Sequence, residues 1–178
     1  MYSKLNIGDI APDFRFRTPW DGETNFYDAV GNNPAILIFL RYYGCPVCQM
    51  EMAKIKQEID LVRKKGCRLF VILQSTPETL ASLTKREDWP FTIISDPQGE
   101  IFRLYGVEAG GFIRYLHPAG FIAAIKAVLQ GFQHGKFEGK ETQLPAAFSL
   151  TADKILRYSR YGENISDIPS LAELTSVI

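Results

Sequence analysis

Residues 35–48 read Ala35-Ile36-Leu37-Ile38-Phe39-Leu40-Arg41-Tyr42-Tyr43-Gly44-Cys45-Pro46-Val47-Cys48. The first six form a continuous apolar run, bounded upstream by Gly31-Asn32-Asn33-Pro34, as in a strand buried on both faces of a parallel sheet. A helical pattern follows over residues 45–65, with Pro46 suited to the first helical position, Arg63, Lys64 and Lys65 in the last turn and Gly66 just past it. The stretch therefore places a Cys-x-x-Cys between a central strand and a helix start, and that placement decides the fold.

Working outward, residues 67–73 form a second buried strand, residues 77–86 a second helix and residues 91–94 a third strand. This βαβ alternation implies a parallel sheet with helices on its faces. On the N-terminal side Phe14-Arg15-Phe16-Arg17 alternates apolar and charged residues. Pro19-Trp20-Asp21-Gly22 supplies a turn, and residues 24–27 return as the second strand of a hairpin. Residues 147–150 and 155–160 flank Thr151-Ala152-Asp153 as a second antiparallel hairpin, and residues 170–177 form a closing helix. The fold class is α/β: a mixed central sheet with helices on both faces, an N-terminal β-hairpin, and a single domain spanning 1–178.

Residues 112–139 interrupt that rhythm as a helical insertion. Phe121, Ile122, Ile125, Val128, Leu129 and Phe132 recur there at helical spacing. The preferred reading packs this stripe against the domain. The other reading makes the insertion a self-association surface for a homodimer, because Ala123, Ala124 and Ala127 leave little polar face.

Composition bounds the function. The 178 residues carry 20 Lys+Arg against 20 Asp+Glu, so there is no net charge with which to bind nucleic acid or anionic lipid. With 46% hydrophobic and 12% aromatic residues the chain is not of disordered type, and a chain of this length buries roughly 70% of its unfolded surface. The N-terminus lacks the apolar segment of a secretory signal, and no run approaches the roughly 20 apolar residues of a membrane span. The expected setting is soluble and cytoplasmic. Three cysteines are an odd count there, which favours reactive thiols over structural disulfides.

Cys45 and Cys48 are the catalytic candidates. Two thiols in a first helical turn can close a short disulfide, and the unpaired N–H groups and positive dipole end favour a thiolate. A reference thiol is about 3% ionised at pH 7, and a pKa two units lower raises that to roughly three quarters. At about 100° per residue, Met52, Ile55, Ile59 and Val62 define the buried face and Cys48 falls among them. Cys45 then lies at the rim as an exposed cap that attacks, and Cys48 resolves from below. Arg41 is placed to stabilise the thiolate by charge. A zinc site lacks a second ligand pair at finger spacing, so neither metal nor cofactor is expected. Cys67 reads as a small buried thiol opening its strand. His117 and His134 have no evident partner, and residues 135–141 read as a solvated loop.

The chain also resembles the thioredoxin superfamily, and within it the peroxiredoxin-like family (alkyl hydroperoxide reductase C/thiol-specific antioxidant, or redoxin). The resemblance rests on Gly8-Asp9-Ile10-Ala11-Pro12-Asp13-Phe14, on the strand entering the cysteine helix, and on Ser95-Asp96-Pro97-Gln98-Gly99 followed by Tyr105-Gly106-Val107. It implies a thioredoxin-like fold and a redox, antioxidant role. It also implies that Pro145, in Leu144-Pro145-Ala146-Ala147-Phe148, precedes a strand facing the site and positions a disulfide substrate through its backbone. At the positions of the family's peroxidase pattern Pro-x-x-x-Thr-x-x-Cys this chain carries Arg41, Cys45 and Cys48, so the proline and threonine are missing, while Glu51, three residues on, matches. Pro145 stands where family peroxidases carry an arginine that stabilises O–O cleavage. The alignment thus nominates Cys48 as the peroxide-attacking sulfur, whereas helix rotation and the likeness of Cys-Pro-x-Cys to thioredoxins nominate Cys45.

The leading expectation is a thiol-disulfide oxidoreductase working through Cys45 and Cys48. Its partners would be a small dithiol or thioredoxin-type reductant and a peroxide or protein disulfide. The alternatives are an atypical thiol peroxidase with Cys48 attacking, and a redox-responsive binding protein without catalysis.

Overall fold

The apolar runs become the centre of a seven-stranded sheet in the computed structural model, which describes residues 3–110 and 117–178. In chain order the strands are β1 (Arg15–Arg17), β2 (Glu23–Asn25), β3 (Ala35–Phe39), β4 (Arg68–Leu73), β5 (Thr92–Ser95), β6 (Ala146–Leu150) and β7 (Leu156–Tyr161). They lie in the order β2-β1-β5-β4-β3-β6-β7. Strands β3, β4 and β5 are parallel, and β6 closes antiparallel on β3 with Ala146 opposite Phe39. The helices are α1 (Phe26–Val30), α2 (Pro46–Gln57), α3 (Asp60–Lys64), α4 (Pro77–Leu83), α5 (Glu100–Leu104), α6 (Pro118–Leu129) and α7 (Leu171–Ser176).

Alternation along the strands divides the core in two. Ile36, Ile38, Val71, Ile93 and Ala147 pack with Met52 and Ile55 of α2 and Leu174 of α7 on one face. Leu37, Phe39, Phe70, Ile72 and Phe148 pack with Phe26, Phe102 and Tyr105 on the other. Each fully buried Val, Leu, Ile, Phe or Met among them gains roughly 1.5–3 kcal/mol by leaving water. Burial on both sides of β3 is what fixes the cysteine turn at its C-terminal end.

Three elements depart from the sequence reading. The returning strand of the first hairpin stops at Asn25, because the Asn25 side chain accepts from Tyr27 N at 2.9 Å and starts α1 there. The helix expected over 45–65 is two helices. Glu58 ends α2, and Val62 N bonds Ile59 O at 3.0 Å in a tighter turn that keeps both Ile59 and Val62 buried.

The third departure concerns the insertion, of which residues 112–116 lie outside the described residues. Helix α6 turns its large apolar side chains outward: Phe121, Ile122, Ile125, Val128 and Leu129 are 47% to 82% exposed. Its small residues face inward instead, with Gly120 and Ala127 buried and Ala123 and Ala124 against the core. These four positions also recur at i, i+3, i+4 and i+7, and small side chains let two helix backbones approach closely, so the packed stripe is the alanine one.

Candidate active site

Past the end of β3, Leu40 N still bonds Ile72 O at 3.0 Å and Gln74 N bonds Arg41 O at 2.7 Å, so sheet pairing carries on to Arg41. The chain then turns, with Cys45 N donating to Tyr42 O at 3.2 Å. Cys45 has extended φ/ψ and caps α2, its sulfur accepting from Cys48 N at 3.5 Å. Pro46 takes the first helical position, where a missing N–H leaves nothing unpaired. Arg41, four residues before Cys45, swings its guanidinium back over the turn, and Nη2 donates to Cys45 Sγ at 2.9 Å. The two cysteines approach to 3.2 Å and are not bridged.

These contacts split the two thiols. Hydrogen bonding from Cys48 and the charge of Arg41 outweigh burial at Cys45 and lower its pKa to about 6. Burial pushes Cys48 well above the usual thiol range, and its bond to Cys45 adds to that. Burial opposes the charge on Arg41, yet the neighbouring sulfurs prevail and raise its pKa above the ordinary value. At neutral pH the site holds a Cys45 thiolate, a Cys48 thiol and an arginine cation.

Cys45 is a cap, as its rotation suggests, but it is not exposed. It is 1% accessible and Cys48 3%. The segment read as a solvated loop lies as a strap over the cysteine turn. Gly135 N donates to Gly44 O at 2.8 Å, Gln49 Nε2 to Gln133 O at 3.1 Å, and Arg41 Nη1 to Glu141 O at 2.6 Å. Glu141 also pairs with Arg41 at 3.4 Å. His134 has a partner after all, since Tyr42 Oη lies 3.1 Å from its Nε2. His134 Nδ1 faces the Gly135 carbonyl at 2.8 Å and donates to it. Tyr42, Gln49, His134 and Glu141 thus belong to the site, and no motif marks them.

Other residues singled out in the sequence make different contacts. Among the described residues every peptide is trans, that of Pro145 included. The Pro145 carbonyl accepts from Gly162 N at 2.8 Å. Cys67 precedes β4 rather than opening it and is half-buried, and burial alone pushes its thiol up to about 12. His117 caps α6 by accepting from Ala119 N at 3.3 Å. Glu51 pairs with Lys54 at 4.0 Å. No group of three metal-ligating side chains converges among the described residues.

A mixed sheet whose central strand delivers a dithiol to a helix N-terminus, one sulfur held as thiolate, defines a thioredoxin-fold redox protein. The chain belongs to the AhpC/TSA family, whose sequence pattern matches residues 7–159. It is 22% identical over 138 residues to the chloroplastic peroxiredoxin Q of Populus jackii, covering 78% of this chain and 64% of that one. It is 26% identical over 103 residues to peroxiredoxin Bcp of Escherichia coli K12, covering 58% and 65%. The matches therefore span less than two thirds of either relative. In structure it resembles peroxidoxin BcpB from Mycobacterium tuberculosis, with a TM-score of 0.69 at 13% identity over 96% of this chain and 94% of that one. No helix among the described residues is long and apolar enough to cross a membrane.

Proposed function

We propose that the chain is a thiol-dependent peroxidase in which Cys45 attacks and Cys48 resolves. The observation that carries this reading is the pair of donors on one sulfur, Arg41 Nη2 at 2.9 Å and Cys48 N at 3.5 Å. The Cys45 thiolate attacks the terminal oxygen of a hydroperoxide ROOH. The O–O bond breaks, Cys45 becomes a sulfenic acid, and the departing RO⁻ takes a proton to leave as ROH. Arg41 stands where negative charge passes from sulfur to oxygen, so a cation from the end of β3 serves the site although Pro145 replaces the arginine before the later strand.

Oxidation then changes the environment of Cys48. Once Cys45 is neutral, the negative charge that opposed ionisation of Cys48 is gone while Arg41 remains. The Cys48 thiol gives up its proton, its sulfur attacks Cys45 Sγ, and hydroxide leaves with that proton as water. A dithiol reductant of small or thioredoxin type returns the Cys45–Cys48 disulfide to two thiols by exchange, supplying two electrons and two protons. The assignment of Cys48 as attacking sulfur is disfavoured by its raised pKa. The test is stoichiometric peroxide consumption with mass mapping of the trapped intermediate. Sulfenic acid on Cys45 in the Cys48→Ser protein supports the reading, and sulfenic acid on Cys48 in the Cys45→Ser protein refutes it.

The outer face of α6 has a second copy of this chain as its occupant in this reading. Phe121, Ile122, Ile125, Val128 and Leu129 offer roughly 600 Å² of apolar surface, so a two-fold helix pair buries about 1,200 Å², at the lower edge of stable interfaces. Lys126 is the single charge on α6, which suits a helix partner better than the cation-rich face that lipid requires.

A further inference from the structure

The strap over the cysteine turn is built around a contact that only glycine permits. Gly44 meets the strap backbone to backbone: a Cβ placed there would sit 2.4 Å from the Lys136 carbonyl oxygen and 3.0 Å from Gly135 C. The reciprocal Cβ on Gly135 would lie 3.1 Å from Gly44 Cα. Neither glycine has a positive φ, so the backbone itself would accept alanine at both positions and the only obstacle is the opposing chain. The close fit brings the strap against Gly44, the residue next to Cys45, and Cys45 is 1% accessible although it caps a helix end.

What holds the strap down is slight. Residues 133–137 are exposed on their outer side, and Phe137, the large apolar side chain of the segment, is 66% accessible. Within residues 133–137, apart from ring contacts of Tyr42 with His134 and Phe137, the attachments are single hydrogen bonds from Gln49, Tyr42 and Gly135, and the Arg41–Glu141 pair anchors the segment only further on. Segments with few buried apolar contacts open locally at much lower cost than the fold as a whole. A partial local opening admits a molecule of two oxygen atoms, whereas the disulfide of a folded protein needs the whole strap lifted from Gly44.

We propose that the 133–137 strap, seated on Gly44, is a specificity gate that admits small peroxides to Cys45 and holds off bulky disulfides, exchange with a protein reductant waiting on its opening. This rests on Cys45 being the attacking sulfur. The test compares two reagents on the reduced full-length protein: hydrogen peroxide, and a polyethylene-glycol-linked maleimide as a bulky thiol probe, each adduct mapped to its cysteine. In Gly44→Ala the added methyl unseats the strap, and the rate of bulky labelling at Cys45 rises at least about tenfold while the peroxide rate stays within about twofold. Gly135→Ala, with the milder overlap, gives an intermediate rise and serves as the second variant should Gly44→Ala fold poorly. Equal rate changes for both reagents, or no change in bulky labelling in either variant, would overturn the gate. Failure of Cys45 to react with peroxide in the unmodified protein would instead overturn the assignment of the attacking sulfur, so the two failures are distinct.

Discussion

Cys45 and Cys67 each stand one residue ahead of a regular element, Cys45 before α2 and Cys67 before β4, and their chemistry is opposite. Cys45 is the more deeply buried, yet its pKa falls to about 6, while half-buried Cys67 is pushed up to about 12. Burial penalises a thiolate at both positions. The difference is that Cys45 has Cys48 and Arg41 aimed at its sulfur, whereas Cys67 has only the Arg68 carbonyl at 3.6 Å, to which its own thiol must donate. An activated cysteine here is made by donors that outweigh desolvation, and exposure has no part in it.

The largest effect should come from removing the activated sulfur. Cys45→Ser is expected to lower peroxide turnover by on the order of a thousandfold or more, measured as peroxide consumed with a dithiol reductant. Cys48→Ser is expected to abolish sustained turnover too, while one equivalent of peroxide still reacts and leaves a sulfenic acid on Cys45. A first equivalent that fails to react would move the attack to Cys48.

Removing the cation has the next largest effect. Arg41→Met should raise the midpoint of Cys45 thiolate formation by about one to two pH units, and Arg41→Lys should restore part of it by returning the charge without the planar fork. The sign of the pH dependence follows from the lowered pKa: Cys45 is thiolate above about pH 6, so reactivity is retained through neutrality and falls as pH drops below that value. In Arg41→Met the fall begins at higher pH. An unchanged profile would leave Cys48 as the whole cause of activation.

Leu129→Glu, on the exposed face of α6, should shift sedimentation from dimer to monomer without loss of peroxide turnover, since Leu129 faces solvent at 82% exposure. Cys67→Ser is the smallest change, with turnover within about twofold of the parent, because a thiol with a pKa near 12 carries almost no thiolate at neutral pH.

What is legible in the sequence divides along the same line. The run from Ala35 to Cys48, the cap, the proline after it and the nearness of Arg41 all act within a few residues, where strand burial and helix capping are local rules. The strap is not legible, because its bonds join residues 92 and 100 positions apart, Tyr42 with His134 and Arg41 with Glu141, and no spacing rule reaches so far. Helix α6 shows a different limit. Two stripes of helical period run along it, one large and one small, and periodicity favours neither. The close approach of α2 selects the small one, which is a property of the partner and not of the helix itself.

The most direct test is a thiolate absorbance titration of the reduced Cys67→Ser protein, repeated with Cys45→Ser added. The account predicts one thiolate step with its midpoint near pH 6 that disappears when Cys45 is replaced. A step that survives that replacement, or a Cys45 midpoint in the ordinary range near 8.5, would contradict it.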